Sequence, residues 1–552
     1  MASVLERGLV GKAAATVRGF AGNRPSLARL WRNRTQRFDR LHAILPSTVE
    51  PGESVSLTVQ AWDQCERLHA DFEGGFRVDS TDDDATHPDR IAFPSSHGGV
   101  ATASGIEFGT AGVQYLTFTR EDTGRRFVSN PVRVVDDPDE RLSGGDLHLH
   151  SQYSDGCGSV TDGLRFGRDV MNLDVVAYTD HDTMGFFIPP RLQRRRMRRR
   201  YVDATKDAVR EYHDPGSFVT LFAYEWTKQP TVGGHLNVYF DGVDEAEVFD
   251  SISAESNTYE KLWERLREFN DSHETQALTV PHHPAESTYP FDFSAVDYDD
   301  DLAPLVEVYS QWGSSERPES AGNHQPVLMG AGETTEPGHH VQDALEMGHQ
   351  VGMIASSDYH SPHPGHSLIH TDPHLPSLDT VRDQGLGWGL IWRVWDEPSY
   401  PGGLQAFYAP ELTREAVFDS LRSRRVYGTT QPHRIHVDFH IDGVGVGEAD
   451  STVAVAARDA SREVSLSVAG TAPVTDATVV KNNEPWRTVG HDNDSLDFDT
   501  YVVESTWTDT APVTGMSWDD GRGTRADTYY VRIRQADGGM AWAGPLWVEP
   551  PD

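Results

Sequence analysis

Only two cysteines, Cys65 and Cys157, occur in 552 residues, which excludes a disulfide framework and a thiolate zinc ribbon. Lysine is nearly as scarce. Lys12, Lys206, Lys228, Lys261 and Lys481 are the whole complement, and arginine supplies the rest of 48 basic residues against 85 acidic ones. The formal charge of -37 argues against general nucleic-acid affinity, because the average surface repels a polyanion. A carboxylate surface this dense suits a protein that must stay hydrated at high salt. No run of about 18 apolar residues exists, so no membrane span is expected. The arginine-rich segment 1–42 lacks the continuous apolar stretch of a secretory signal, and a cytoplasmic location is the expectation.

What is present is organised around Asp146-Leu147-His148-Leu149-His150, followed by Ser154-Asp155-Gly156. In an extended strand side chains alternate, so His148 and His150 share one face while Leu147 and Leu149 pack on the other. Two imidazoles side by side suit a metal. Asp155 adds a carboxylate on the loop beyond the strand, where barrels and doubly wound sheets place their chemistry. Cys157 reads as a small buried loop residue rather than a metal thiolate.

Residues 43–138 alternate in the manner of half-buried strands, as in Ser54–Val59 and Gln114–Phe118, and predict a small β-sandwich. Their acidic run Asp79–Asp84 lacks the glycine and distal glutamate of an EF-hand and reads as a solvated loop. From 139 to 430 short apolar strands alternate with helical stretches, the pattern of an α/β architecture. The strands fall at 174–179, 218–224, 235–240, 277–281, 305–309 and 351–356, and a helix is predicted from Thr258 to Asn270, with Leu262, Leu266 and Phe269 at helical spacing. With the opening strand there are about seven, enough to close into a barrel. Residues 431–552 return to alternation and predict a second β-sandwich.

Most of the central strands carry a potential ligand at one end. Asp180-His181-Asp182 follows the second strand, Glu225 ends the third, His235 begins the fourth, His282-His283-Pro284 follows the fifth, and Ser357-Asp358-Tyr359-His360 follows the last. A barrel would gather these ends around one mouth. Five such placements, all drawn from His, Asp and Glu, point to a shared metal site.

These segments resemble the PHP (polymerase and histidinol phosphatase) superfamily of metal-dependent phosphoesterases, and more narrowly its DUF3604-like branch through the 218–226, 233–240, 281–284 and 404–430 stretches. The likeness runs from about residue 140 through the C-terminal domain. It implies a distorted seven-stranded (β/α) barrel flanked by the two sandwiches, and nine residues at a metal site: His148, His150, Asp155, His181, Glu225, His235, His283, Asp358 and His360. In that pattern His148, His150 and Asp358 hold one ion, and Glu225 bridges to a second on His235 and His283. Asp155, His181 and His360 hold a third or serve as acid/base groups. His283 is preferred to His282 because the superfamily's ligand directly precedes proline. Two or three divalent ions (zinc, manganese or iron) suit nitrogen and oxygen ligands. The implied activity is hydrolysis of a small phosphorylated substrate by metal-activated water.

Two other readings compete. The run Arg191–Arg200 holds seven arginines just past the His181 loop. It suggests a nuclease gripping phosphates, set against a helix whose arginines pair with the protein's own carboxylates. A non-catalytic binding protein with a structural metal cluster is the other. Among smaller signals, Glu307 reads as a strand glutamate paired with an arginine. Trp388, Trp392 and Trp395 read as a lid or as core, and Arg422, Arg424 and Arg425 as possible phosphate clamps.

Overall fold

The computed structural model describes residues 22–93, 98–330, 332–448, 451–491, 498–518 and 521–551, so half of the basic N-terminal segment lies outside the described residues. Strand outweighs helix, 35% against 17%. Near the N-terminus Phe38–Ile44, Val55–Asp63 and Val100–Ile106 form one antiparallel sheet, and Arg90–Phe93, Gly74–Ser80, Leu116–Arg120 and Arg126–Val128 form another. Their inward residues, including Leu57, Val59, Phe76 and Phe118, share a core. The acidic turn is braced by Asp82, whose carboxylate accepts from the backbone N–H groups of Gly109 (2.7 Å) and Thr110 (3.0 Å), a common use of a short acid in a turn.

A mixed sheet of fifteen strands dominates the rest. In chain order these are β1 (Arg141–Asp146), β2 (Val175–Tyr178), β3 (Val219–Trp226), β4 (His235–Phe240), β5 (Ala277–His282), β6 (Leu305–Ser310), β7 (Gly313–Ser314) and β8 (Gly352–Ala355). There follow β9 (Gly403–Ala409), β10 (Val426–Thr430), β11 (Thr452–Ala454), β12 (Val474–Lys481), β13 (Glu484–Val489), β14 (Asp527–Gln535) and β15 (Met540–Glu549). Their spatial order is β7-β6-β5-β4-β3-β2-β1-β9-β10-β15-β14-β12-β13, with β8 beside β6 and β11 beside β15. Every residue of β2 to β6 and of β8 is buried. Strands covered on both faces read as continuous apolar runs, which is why their positions stand out in the sequence.

The expected closed (β/α) barrel does not form. β1, β2 and β3 run parallel, as do β5, β6 and β8, but β4 is antiparallel to both its neighbours. Beyond β1 the sheet runs on, antiparallel, through β9, β10 and β15. A β/α barrel needs parallel strands joined by helical crossovers, whereas β3 and β4 are linked by the short 227–234 connection without a helix. Apolar periodicity carries no direction, so the 235–240 run reads alike in either sense.

Helices do join other pairs: Val160–Asp169 crosses between parallel β1 and β2, and Tyr259–Ser272 links antiparallel β4 and β5. Between β2 and β3 the helical stretch runs from Pro190 to Tyr212, with a π-helical turn at Met197–Tyr201. Tyr259–Ser272 starts at Thr258, whose side chain caps the Lys261 N–H, and buries Leu262, Trp263, Leu266 and Phe269 against the sheet. Each such side chain removed from water stabilises the packing by roughly 1.5–3 kcal/mol. At the far end, His436–Ile441, Val444–Gly445, Arg462–Ala469 and Val502–Asp509 form a second sheet. Its Val437, Phe439 and Leu466 pack against Val479, Val531 and Leu546 of the large one. Among the described residues no helix is long and apolar enough to cross a membrane.

Candidate metal centre

The edge at which β1, β2, β3, β5 and β8 end is also where antiparallel β4 begins. His235 therefore arrives opposite His282 without any barrel closure. β1 itself stops at Asp146, short of the histidines. The chain beyond stays extended, with a parallel bridge from Leu149 to Tyr359, and Leu147 and Leu149 enter apolar clusters. His148 and His150 are left to face each other, Nε2 to Nε2, at 3.2 Å.

Glu225 sits at the middle of the cluster. Its Oε1 lies 2.6 Å from His235 Nδ1 and 3.3 Å from His282 Nε2. Its Oε2 lies 3.0 Å from His181 Nδ1, 3.2 Å from His150 Nε2 and 3.4 Å from His148 Nε2. Asp358 Oδ1 is 3.3 Å from His148 Nε2 and 3.2 Å from His150 Nε2. On the outer side Asp155 Oδ1 is 3.5 Å from His181 Nε2 and 3.3 Å from His360 Nε2. These donors fall into overlapping sets of mutual neighbours, including His150 with Asp155, His181 and His360, and His235 with His282 and His283. All are buried, so the groups as placed could hold metal ions.

Buried donors need partners, and several here lack one. Among the described residues Asp155 Oδ1, His283 Nδ1 and both ring nitrogens of His282 have no hydrogen-bond partner. Other ring nitrogens are fixed from behind, as metal-binding imidazoles are. His148 Nδ1 donates to Glu307 at 3.1 Å, His235 Nε2 to the Lys228 carbonyl at 3.1 Å, and His360 Nδ1 to the Asp358 carbonyl at 3.1 Å. In each case the second nitrogen is left facing inward.

The electrostatics of the cluster follow from burial and close opposite charge. Burial works to raise Glu225 and Asp358, but His181, His235 and His282 around the first, and His148 and His150 around the second, hold both well below the usual carboxylate range. Burial, reinforced by neighbouring imidazoles and only partly offset by Glu225, pushes His283 down to about 3 and His282 well below its ordinary value. Against burial, Asp358 and Glu307 raise His148, and Asp358 and Glu225 lift His150 to about 10. Ionised Glu225 and Asp358 and neutral His282 and His283 are already in the forms a cation requires, whereas His148 and His150 would release a proton on binding one.

A surrounding shell holds these groups in place. Asp146 accepts from the N–H groups of Ser357 (3.0 Å) and Gly365 (2.8 Å), tying the last ligand loop to β1. Thr227 Oγ1 lies 2.9 Å from His181 Nδ1 and donates to Glu225 Oε1 at 3.1 Å. Trp312 Nε1 donates to Asp358 Oδ2 at 2.8 Å. Asp358 and His283 take positive φ, 52° and 35°, strained for non-glycine residues and typical of functional sites. The 387–395 wall is tight against the ligand loops. Trp388 N–H donates to the Asp155 carbonyl at 2.9 Å, and a Cβ on Gly389 would stand 1.9 Å from the His360 carbonyl oxygen.

The nine residues implied by resemblance thus lie together, and the structure adds others. His282 lies within the donor sets as fully as His283. Glu307 has no arginine partner among the described residues; it is buried against His148, contrary to the arginine-paired reading. A lone acid inside the apolar run Leu305–Tyr309 was its signal. Trp392 packs its ring 4.9 Å from His360. Cys157 is buried, its thiol donating to the His360 carbonyl at 3.4 Å. Arg425 is engaged by Glu140 and Asp419, and Arg424 donates to the Gln350 carbonyl at 2.9 Å. Neither is the phosphate clamp considered above.

Compared with known families, residues 168–312 and 333–467, about half of the chain, match the model described as "Protein of unknown function (DUF3604)". The chain belongs to this family. The DUF3604 match takes in His181, Glu225, His235, both adjacent histidines, Glu307, Asp358 and His360. It begins after His148, His150 and Asp155, not near residue 140, and ends within the C-terminal part. Uncharacterized proteins of Chlamydia pneumoniae and Chlamydia trachomatis are 23% identical over 450 residues and 22% over 446. Each alignment spans 80% of this chain but 63% of the relative, so this DUF3604 chain covers less than two thirds of those proteins. A solved structure titled "Structure of PhoD" aligns with 33% of this chain and 38% of its own at 12% identity and a TM-score of 0.16. A glycosyl hydrolase family 2 member from Bacteroides cellulosilyticus aligns with 93% and 64% at 9% identity and 0.17. At such scores neither likeness bears on fold or function.

Proposed function

We propose that the chain is a metal-dependent hydrolase of phosphoesters, acting on a small phosphorylated substrate at the cluster around Glu225. The observation that carries this reading is the set of overlapping, buried nitrogen and oxygen donors that share Glu225 and leave several inward atoms without a hydrogen-bond partner. The correspondence of nine of them with the PHP ligand pattern favours phosphoester over other bonds. By that pattern His148, His150 and Asp358 hold one ion. Glu225 would be shared with a second held by His235 and His283, with His282 placed to join them, and Asp155, His181 and His360 would hold a third or move protons. Zinc, manganese and iron all suit these donors. Divalent ions bound there supply Lewis-acid polarisation of a phosphoryl oxygen and activate water at neutral pH.

The chain's own groups perform the rest. His360 is oriented by its Nδ1–H on the Asp358 carbonyl and aims Nε2 at Asp155. Protonated at Nε2, it can deliver that proton to a leaving-group oxygen. His181 faces the same carboxylate from the other side and is held by Thr227. Asp155 lies between them, its carboxylate kept ionised against burial by the two imidazoles and placed to accept from either ring. The test is elemental mass spectrometry on protein purified without chelator at high salt, alongside turnover of aryl phosphate mono- and diesters. His148→Ala and Asp358→Ala are expected to lose metal and turnover together; a protein that takes up no metal on reconstitution ends the proposal.

A further inference from the structure

Beside Asp155 the surface opens into a cleft of about 250 Å³, lined by Ser154, Gly156, Phe186, Ile188, Arg196 and Leu386, among others. One wall is aromatic. Phe187 is 81% exposed, its ring 4.6 Å from Phe186, and both lie against Trp388 at 6.0 and 5.3 Å. Trp388 stacks on Trp392 at 5.7 Å, and Trp392 meets His360. A row of rings therefore runs from solvent to the donor cluster. Holding a bulky ring outward at Phe187 requires φ of +55°, a costly conformation away from glycine.

The lining also holds a cation, Arg196, with Arg200 one helical turn beyond it. Of the arginine run, Arg194 and Arg198 pair with Asp250, as the carboxylate-paired reading expects. Arg196 and Arg200 do not. One helical turn apart, both lie near Tyr153, and burial, with Arg200 adding to it, disfavours the charge on Arg196. Arg196 donates to the Gln152 carbonyl, and among the described residues neither guanidinium has a carboxylate within ion-pair distance. The nearest acid influencing Arg196 is Asp180, already engaged by Ser151 and Ser154. In a chain with 85 acidic residues, two guanidiniums one helical turn apart with no carboxylate partner among the described residues, near the exposed Phe187 ring, suit an external anion that also carries a flat apolar group.

We propose that this cleft is a subsite for single-stranded oligonucleotide, with a base stacked on the Phe186–Phe187–Trp388 shelf and phosphates on Arg196 and Arg200, leading a neighbouring phosphoester into the cluster. The inference rests on the phosphoesterase reading and names its substrate class. The net charge of -37 repels a polyanion at long range, so recognition depends on contact: guanidinium on phosphate and ring on base. A duplex hides the base faces that the shelf would meet.

The experiment measures fluorescence anisotropy of a labelled single-stranded hexanucleotide on the full chain, held in chelator to stop turnover, across a salt series. Arg196→Ala and Arg200→Ala are each expected to weaken binding about tenfold and to lower the salt slope by about 0.7. Phe187→Ala is expected to weaken it about tenfold with the slope unchanged. An abasic hexamer should bind less tightly to the natural chain but no less tightly to Phe187→Ala. Wild-type affinity in both arginine variants, or equal affinity for the abasic strand or a duplex, overturns the proposal. Aryl phosphate turnover without oligonucleotide binding refutes the subsite alone. Binding without turnover of any ester refutes the hydrolase reading alone.

Discussion

Glu307→Gln is the most direct probe of how the cluster is held. The Glu307 carboxylate receives His148 Nδ1–H at 3.1 and 3.2 Å on its two oxygens, and both side chains are buried. That contact fixes the tautomer with Nε2 inward and raises the basicity of the ring. Glutamine keeps the shape and one acceptor oxygen but removes the charge. The charge-assisted bond, about 1.5–3 kcal/mol, becomes a neutral one of about 0.5–1.5. A difference near 1.4 kcal/mol is about tenfold in metal affinity. Glu307→Ala also strands a buried N–H and frees the ring, for which the expected loss is nearer a hundredfold. Competition against a chromogenic chelator at pH 7.5 measures both, with far-ultraviolet circular dichroism checking that the sheet is intact. Unchanged affinity in both variants would refute the argument that Glu307 positions a ligand, and equal losses would refute the role assigned to its charge.

Three further outcomes are expected. His282→Ala and His283→Ala should each lower bound metal per chain by elemental analysis; loss in only one would show that the other is not a ligand. Gly389→Ala forces a Cβ onto the His360 carbonyl and should cost about 1–3 kcal/mol in urea unfolding, with less metal retained; a neutral result would mean that the wall yields freely. His366 lies where the N-terminal sheet meets the 361–374 loop, its ring 4.2 Å from Trp62 and its Nε2–H donating to the Glu66 carbonyl at 2.7 Å. Burial pushes His366 down to about 4 despite nearby Glu66. Its folded value lies below the unfolded one of about 6.5, so the unfolded chain takes up the proton first. Stability should be full above that pH and fall between about 6.5 and 4, and His366→Asn should flatten the decline in urea midpoints.

Much of this arrangement is legible in the residue pattern, for reasons that also set its limits. Strands covered on both faces write themselves as apolar runs, so β2, β3, β5 and β8 stand out, and a polar ligand at the end of such a run has few structural uses. Direction is not written there. Leu236–Phe240 is equally apolar read either way, and only the helix-free 227–234 connection hints that β4 turns back. Partners of buried charges are equally silent: nothing local to Leu305–Tyr309 distinguishes an acid meeting arginine from one meeting histidine. For the arginine run, helical spacing puts Arg194 and Arg198 on one face and Arg196 and Arg200 on another, but Asp250, which separates their fates, lies 52 residues beyond Arg198.

β15 has a consequence in time. During synthesis every donor of the cluster, from His148 to His360, leaves the ribosome well before Met540–Glu549, the strand that pairs with both β10 and β14. Until then Tyr427–Thr429 present an open edge, the kind that pairs with foreign strands. A nascent chain halted before that point carries a full complement of ligands on an unfinished scaffold. The sheet that carries the donors is therefore completed by a strand that contributes none of them.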